Sequence, residues 1–172
     1  ESSEGATRPA HKIKISGESF EHKNIPDGHD GSPGQKKGKI MKAIIMDGSF
    51  AGDVTGERVK TALLAQLRAQ GWEIDDWVLR ETKIGNCAGD FFCWVRNPGL
   101  CNVDDANRKI AAAIINSDLL VYLTPITFGG YSSALKKAVD HQVQNILPFF
   151  AKVNGETHHA PRYKKYPNSL TI

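Results

Sequence analysis

Large apolar side chains are sparse over the first forty residues and regularly patterned after them. Up to residue 40 they are Ile13, Ile15, Phe20, Ile25 and Ile40, set among six glycines and three prolines. Such a stretch cannot bury enough surface to offset its chain entropy. Residues 1–39 therefore read as a flexible leader or linker, and 40–172 as the folded domain. Lys42-Ala-Ile-Ile-Met46 is a short apolar run that suits a strand buried on both faces. It stops at Asp47-Gly-Ser49. Val59, Leu63 and Leu67 recur at helical spacing and predict a helix over 56–70, with Gly71 as its stop. Residues 73–79 read as a second strand, followed by a long loop. Asp104 or Asp105 caps a helix whose buried stripe holds Ala106, Ile110, Ala113 and Ile114. Asp118-Leu-Leu-Val-Tyr-Leu-Thr124 is the clearest strand, with Tyr122 expected to be buried, and Pro125 ends it. A last helix is expected over 132–145, with Leu135, Ala138, Val139 and Val143 on its apolar side. Asn168-Ser-Leu-Thr-Ile172 resembles the start of a fourth strand.

Strands that alternate with helices imply an α/β fold: a doubly wound parallel sheet with helices on both faces. Such sheets usually carry five or six strands, so the domain is expected to be truncated before its last strands. Ligands of this architecture bind beyond the carboxyl ends of the strands, where the winding direction reverses. That directs attention to the loops after the first and third strands.

The loop Gly48-Ser-Phe-Ala-Gly-Asp-Val-Thr-Gly56 joins a strand to a helix N-terminus. Free N–H groups and the positive end of the helix dipole suit a phosphate there. Ser49 and Thr55 can add hydroxyl hydrogen bonds, Gly56 close backbone approach, and Arg58 charge. Neither a dinucleotide fingerprint nor a P-loop is present, and an ordinary turn with Thr55 as the N-cap would look the same. The second loop is Thr124-Pro-Ile-Thr-Phe-Gly-Gly-Tyr-Ser-Ser-Ala-Leu-Lys136. Aromatics flank paired glycines, a combination that lets backbone and an apolar wall approach a planar ring. A simple Gly-Gly turn, with Ser132 capping the next helix and Phe128 and Tyr131 packing, accounts for the same residues.

Composition narrows the classes. At 172 residues and 40% hydrophobic, the chain supports one well-buried domain. The net charge of +3 gives no reason for a nucleic-acid partner. No apolar run approaches the roughly 18–20 residues that span a bilayer, and no signal pattern is visible at the start, so no membrane association is expected. Three cysteines, Cys87, Cys93 and Cys101, make a poor disulfide framework and point to a reducing, cytoplasmic setting.

Residues 124–140 resemble the second flavin loop of the NADPH-dependent FMN reductase and iron–sulfur flavoprotein group. There a Pro-x-Tyr-x-Gly-x-x-Ser-x-x-Leu-Lys pattern leads into a helix, and this chain has Thr127 where the tyrosine often stands. The opening strand and Gly48-Ser49 are similar to the group's phosphate loop. The resemblance implies a flavodoxin-like fold, bound FMN, NAD(P)H as electron donor, and a small-molecule or protein electron acceptor. It also implies a homo-oligomer. Ser49, Thr55, Gly56 and Arg58 would then face the phosphate. Pro125, Ile126, Thr127, Phe128, Gly129 and Gly130 would lie along the ring. The flavin supplies the reactivity, so no catalytic acid or base is nominated.

The stretch Cys87-Ala-Gly-Asp-Phe-Phe-Cys-Trp-Val-Arg-Asn-Pro-Gly-Leu-Cys101 also resembles this group, some of whose members ligate a [4Fe–4S] cluster through four cysteines. Here Asp90 replaces the second cysteine, and carboxylate is a poor ligand for soft iron–sulfur chemistry. Three readings stay open. The loop is a metal-free lid over the flavin, or it holds a labile iron–sulfur cluster on Cys87, Asp90, Cys93 and Cys101. Alternatively, its thiols serve redox chemistry or zinc. A cofactor-free binding module is the rival from another class. A phosphoacceptor domain is disfavoured because the third strand ends on Thr124-Pro125 rather than an aspartate. His158-His159 reads as a solvated loop, Lys164 and Lys165 as a solvated face, and Trp72 and Trp77 as packing residues.

Overall fold

The computed structural model describes residues 39–172. The expected leader over 1–39 lies outside the described residues, except for Lys39. Strand β1 (Lys42–Asp47) and helix α1 (Val54–Ala69) are followed by β2 (Glu73–Val78). The long loop contains one turn of helix, α2 (Phe92–Val95), and leads to α3 (Ala106–Ile115) and β3 (Leu119–Leu123). A two-residue pair, β4 (Ile126–Thr127) and β5 (Gly130–Tyr131), precedes α4 (Ser133–Asp140), which tightens into a 3-10 turn over His141–Asn145. Then come β6 (Ile146–Val153), β7 (Glu156–Pro161) and β8 (Asn168–Thr171).

The central sheet has the order β2-β1-β3-β8 and is parallel throughout. This is the doubly wound, flavodoxin-like arrangement, and its switch point lies between β1 and β3. Side chains alternate along a strand, and β1 shows the result. Ala43 and Ile45 pack with Leu67, Val121, Leu63 and Trp72 on the α1 side. Ile44 and Met46 pack with Ile110, Ile114, Leu135 and Ala138 on the side of α3 and α4. A strand buried on both faces has to be apolar at consecutive positions, which is why β1 lacks alternation in its sequence. Trp77 joins the second cluster and Trp72 the first, so both tryptophans pack as expected.

Several expectations are corrected. Helix α1 begins at Val54 rather than 56, because Asp53 and not Thr55 is its N-cap: the carboxylate accepts from Gly56 N. The helix expected over 132–145 is regular only to Asp140. Tyr122 is half-buried rather than buried. Its hydroxyl donates to Gln142 Oε1 at 2.8 Å, and its ring lines a groove with Val139, Tyr166 and Ser169. His158 and His159 lie on a strand, not in a solvated loop. That strand, β7, pairs antiparallel with β6 through the Asn154-Gly155 turn, whose φ values are 52° and 88°. Two left-handed residues in succession match the twist of a hairpin, and Asn-Gly tolerates them. Lys165 is mostly exposed yet pairs with Asp118.

Asp118 fastens the amino-terminal edge of the sheet. Its carboxylate, only 6% exposed as a residue, accepts from Lys165 Nζ, Lys39 Nζ and the backbone N–H of Lys42. Those hydrogen bonds, that of Lys165 foremost, hold the carboxyl far below the usual carboxylate range. A carboxyl lowered by folding stabilises the protein above its unfolded value of about 3.9, and the contribution disappears as pH falls through the folded value. Asp118→Asn should therefore lower the urea midpoint near neutral pH. The gap to wild type should narrow as pH drops from about 5 towards 2, because Asp118 takes up a proton in the unfolded chain there while the folded carboxylate stays ionised. A gap independent of pH over that range would contradict the assignment.

Candidate functional site

The carboxyl ends of β1 and β3 bring the two glycine-containing loops together. Gly48 N donates to Leu123 O at 2.8 Å, so the first loop leaves β1 pressed against the end of β3. A Cβ on Gly48 would stand 2.6 Å from Ser132 Oγ and 2.9 Å from Leu135 Cβ, so only glycine fits there. Ser132 is fully buried and caps α4 by accepting from Leu135 N at 3.3 Å. Thr124 Oγ1 accepts from Ser132 N at 2.9 Å and closes the second loop on itself.

In the first loop lies a buried hydroxyl without a partner. Ser49 is 4% exposed, and its Oγ meets no partner in hydrogen-bond geometry, though it lies near enough to the Asp47 carboxylate to help lower that group. A Cβ on Gly56 would come within 2.8 Å of that oxygen, so the Ser49 hydroxyl lies against the first turn of α1. A buried hydroxyl left unpaired costs about 1–3 kcal/mol, and such a group at a switch point fits a phosphate oxygen. The nearest backbone donor is already taken, however. Asp53 Oδ1 accepts from Gly56 N at 2.9 Å, so this carboxylate occupies the helix end instead of pointing away from it. Thr55 is exposed in the first turn. Arg58 is exposed too and lines an open groove of about 620 Å³ along α1 with Val54, Glu57, Thr61 and Ala62. The structure thus sets Ser49 against Gly56 at the start of α1, with Arg58 on the flank of the helix, while the two loops touch through Gly48 and Ser132.

The second loop is a minimal hairpin. Ile126 pairs with Tyr131 and Thr127 with Gly130, and the turn is Phe128-Gly129. Phe128 has φ 49° and Gly129 φ 79°. A bulky residue in the left-handed region is strained by roughly 1–3 kcal/mol, and such outliers concentrate at ligand-binding loops. Phe128 is fully exposed and Ile126 is 84% exposed, so the tip presents bare apolar surface. Thr127 Oγ1 donates to Tyr131 O at 3.3 Å and stiffens the hairpin. Pro125 is half-buried at its base.

Sequence reasoning passed over the ion set that aims the first loop. Asp47, at the end of β1, is 2% exposed. Its carboxylate accepts from Ser49 N at 2.9 Å and from Lys60 Nζ at 2.9 Å, and Lys60 also pairs with Asp76 on β2 at 2.9 Å. Burial pulls the Asp47 carboxyl upward, but Lys60 and the Ser49 N–H outweigh it and leave the carboxyl below its ordinary value. Burial likewise pulls the Lys60 amine down, and the two carboxylates more than reverse the shift. Both groups therefore stay charged across the neutral range. Asp47 and Lys60 lie thirteen residues apart in the chain, on a strand end and a helix, so no local motif announces the pair.

The cysteine loop is built separately. Cys93 is buried in α2, while Cys87 and Cys101 are half-buried, and all three thiols are free. They line one small pocket with Asp90, Val103 and His141. Asp90 Oδ1 accepts from Phe92 N at 3.0 Å, so the carboxylate braces the turn into α2. Among the described residues no three Cys, His, Asp or Glu side chains converge closely enough to hold a metal ion. Trp94 ties the loop down: its Nε1 donates to Val143 O at 2.8 Å and Ile146 O at 3.1 Å, and its ring packs against Phe91 and His159.

NADPH-dependent FMN reductases match the chain over residues 41–155, about two thirds of its length. The chain belongs to the NADPH-dependent FMN reductase family. The matched region contains both loops of the β1/β3 crevice, the Asp47–Lys60 pair and the cysteine loop. No curated protein matches the chain. Among the described residues no helix is long and apolar enough to cross a membrane.

Lys60→Met removes the one amine among the described residues that contacts the buried Asp47 carboxylate at hydrogen-bond distance. Stranding a buried charge costs about 3–5 kcal/mol, so urea unfolding should register a loss near the lower end of that range. Asp47→Asn/Lys60→Met together should be less harmful than Lys60→Met alone. If the double variant is the less stable, the charge of Asp47 is not what Lys60 answers.

Proposed function

We propose that the chain binds FMN at the β1/β3 switch point. It would act as an NAD(P)H-dependent oxidoreductase that passes electrons to a small-molecule or protein acceptor. Family membership and the crevice geometry support this reading. The observation that carries it is the buried, unpartnered Ser49 Oγ, which lies against the bare Cα of Gly56 at the switch point. FMN bound there would supply the hydride chemistry, taking electrons from a reduced nicotinamide and giving them up again. The chain's own residues bind and orient. Ser49 donates its hydroxyl hydrogen to a phosphate oxygen, and Gly48 holds the first loop against Ser132. Asp47 and Lys60 fix the angle at which that loop leaves the sheet. Thr127, Phe128 and Gly129 offer backbone and apolar surface along one edge of a ring, with Thr124 setting the base of the hairpin. None of these roles needs a protein nucleophile or a protein general acid.

Homo-oligomerisation belongs to the same proposal. Ile126 and Phe128 form an apolar tip that a second copy would cover. One observation favours the cofactor-free binding module instead: the Asp53 carboxylate already holds the Gly56 N–H. Flavin fluorescence decides between them. Saturable FMN binding is expected, with NADPH bleaching the visible absorption of the complex. Ser49→Ala should weaken FMN binding about tenfold, equivalent to about 1.4 kcal/mol. A folded chain that takes up no FMN would leave the binding module as the function.

A further inference from the structure

Outside the flavin crevice, one nucleophile stands beside a base. Cys101 Sγ lies 3.5 Å from His141 Nδ1, and His141 Nε2 lies 3.1 Å from the carbonyl oxygen of Gly85. A carbonyl only accepts, so Nε2 carries the hydrogen, and the neutral ring presents its lone pair at Nδ1. The Cys101 thiol is then the donor to Nδ1. Thiol, imidazole and an orienting third group make up the arrangement that activates cysteine nucleophiles.

The pair is held from several sides. Cys101 N donates to Gln144 Oε1 at 3.0 Å, and Arg108 Nε donates to Cys101 O at 3.0 Å. Gln144 is 1% exposed and donates to Asn107 Oδ1 at 3.1 Å and His141 O at 2.8 Å. This polar network is buried and satisfied, so it fixes the geometry rather than merely tolerating it. Two more thiols line the same pocket, those of Cys93 and Cys87. The chain between Cys93 and Cys101 folds back on itself, with Gly99 N donating to Cys93 O at 2.8 Å.

We propose that Cys101, activated by His141, is a nucleophilic thiol that exchanges with low-molecular-weight disulfides and closes a disulfide with Cys93. This does not depend on FMN binding. In the first step the Cys101 proton passes to His141 Nδ1 as Sγ attacks one sulfur of RSSR. The S–S bond breaks, and the departing thiolate takes the proton from His141 and leaves as RSH. In the second step Cys93 Sγ attacks Cys101 Sγ in the mixed disulfide, and its proton goes to the second departing thiolate. Two protein thiols are oxidised by two electrons, and one RSSR is reduced to two RSH. Burial, then the nearby Cys101 and Cys87, push the Cys93 thiol up. A thiol held protonated is the poorer first attacker, which leaves the first step to the half-exposed Cys101 beside its base and the intramolecular second step to Cys93. The joined loop would carry α2 and Trp94 with it, and so its own packing on the 3-10 turn.

The test uses the full chain and oxidised glutathione as the disulfide, read by intact-mass and peptide mass spectrometry. Wild type should lose two hydrogens and yield a Cys93–Cys101 link. Cys93→Ser should stop at a glutathione adduct on Cys101. Trapping with iodoacetamide should label Cys101 about tenfold faster than Cys87, and His141→Gln should abolish that advantage without changing the Cys87 rate. The Cys101-to-Cys87 comparison in wild type needs no variant, so a misfolded His141→Gln protein cannot rescue the idea. Equal labelling of Cys87 and Cys101, or a link that omits Cys101, would overturn it.

Discussion

The placement of the crevice depends on a buried carboxylate. Asp47 ends the central strand at the point where the chain has to turn away from the sheet, and there it meets the amine of α1 and the N–H of Ser49. An uncompensated charge at this depth would be neutralised or would pull the strand end towards water. Paired as it is, the charge joins β1, α1 and, through Asp76, β2 at one corner. The first loop therefore starts from a fixed origin. Gly48 is pressed onto Ser132, Ser132 is held by Thr124, and the second loop inherits its position from the first. Both halves of the crevice descend from one ion set that contributes no surface to it.

Much of this was legible in the sequence, because much of it is periodic. Apolar runs at 42–46 and 118–124 gave the two inner strands, and the i, i+4 stripe gave α1. Glycines directly after those strands located the crevice. The final strand was readable as well, since Ser169 to Thr171 continue the parallel register beside β3. What escaped was structure with a weaker period. The β6–β7 hairpin carries an Asn154-Gly155 turn, a strong hairpin signal. Pro148 and a shifted register between Ile146 and Phe150 broke the alternation that would have announced its first strand. Tyr122 was expected to be covered because its strand neighbours are; the hydroxyl that reaches Gln142 is a contact between β3 and the turn after α4, which no local pattern reveals.

The site itself was legible by residue type and not by pairing. Ser49 and the 124–130 loop stood out as chemistry-bearing, and the loops that hold them leave the sheet side by side, with Gly48 against Ser132. Three cysteines were evident as a group, but the partner that gives one of them a character of its own was not. His141 is forty residues from Cys101 and was hidden inside an expected helix. Two segments became neighbours only because α4 tightens into a 3-10 turn against α3 and delivers an imidazole to the far loop. Spacing rules find ligands and nucleophiles that share an element; they are silent where tertiary packing does the joining.

Asp53 has a consequence for how strongly any phosphate can be held. The first turn of α1 is not a vacant positive end: a carboxylate of the chain already satisfies the Gly56 N–H. A phosphate that arrives there exchanges one anion for another, so its electrostatic gain is a difference and not a sum. Selectivity for a phosphorylated ligand over its uncharged counterpart is correspondingly compressed. On the proposed reading, the work of discrimination would move to the Ser49 hydroxyl and to the 126–131 hairpin. If FMN binds as proposed, an α1 terminus that carries its own counter-anion would make the crevice a reader of ring shape first and of charge second.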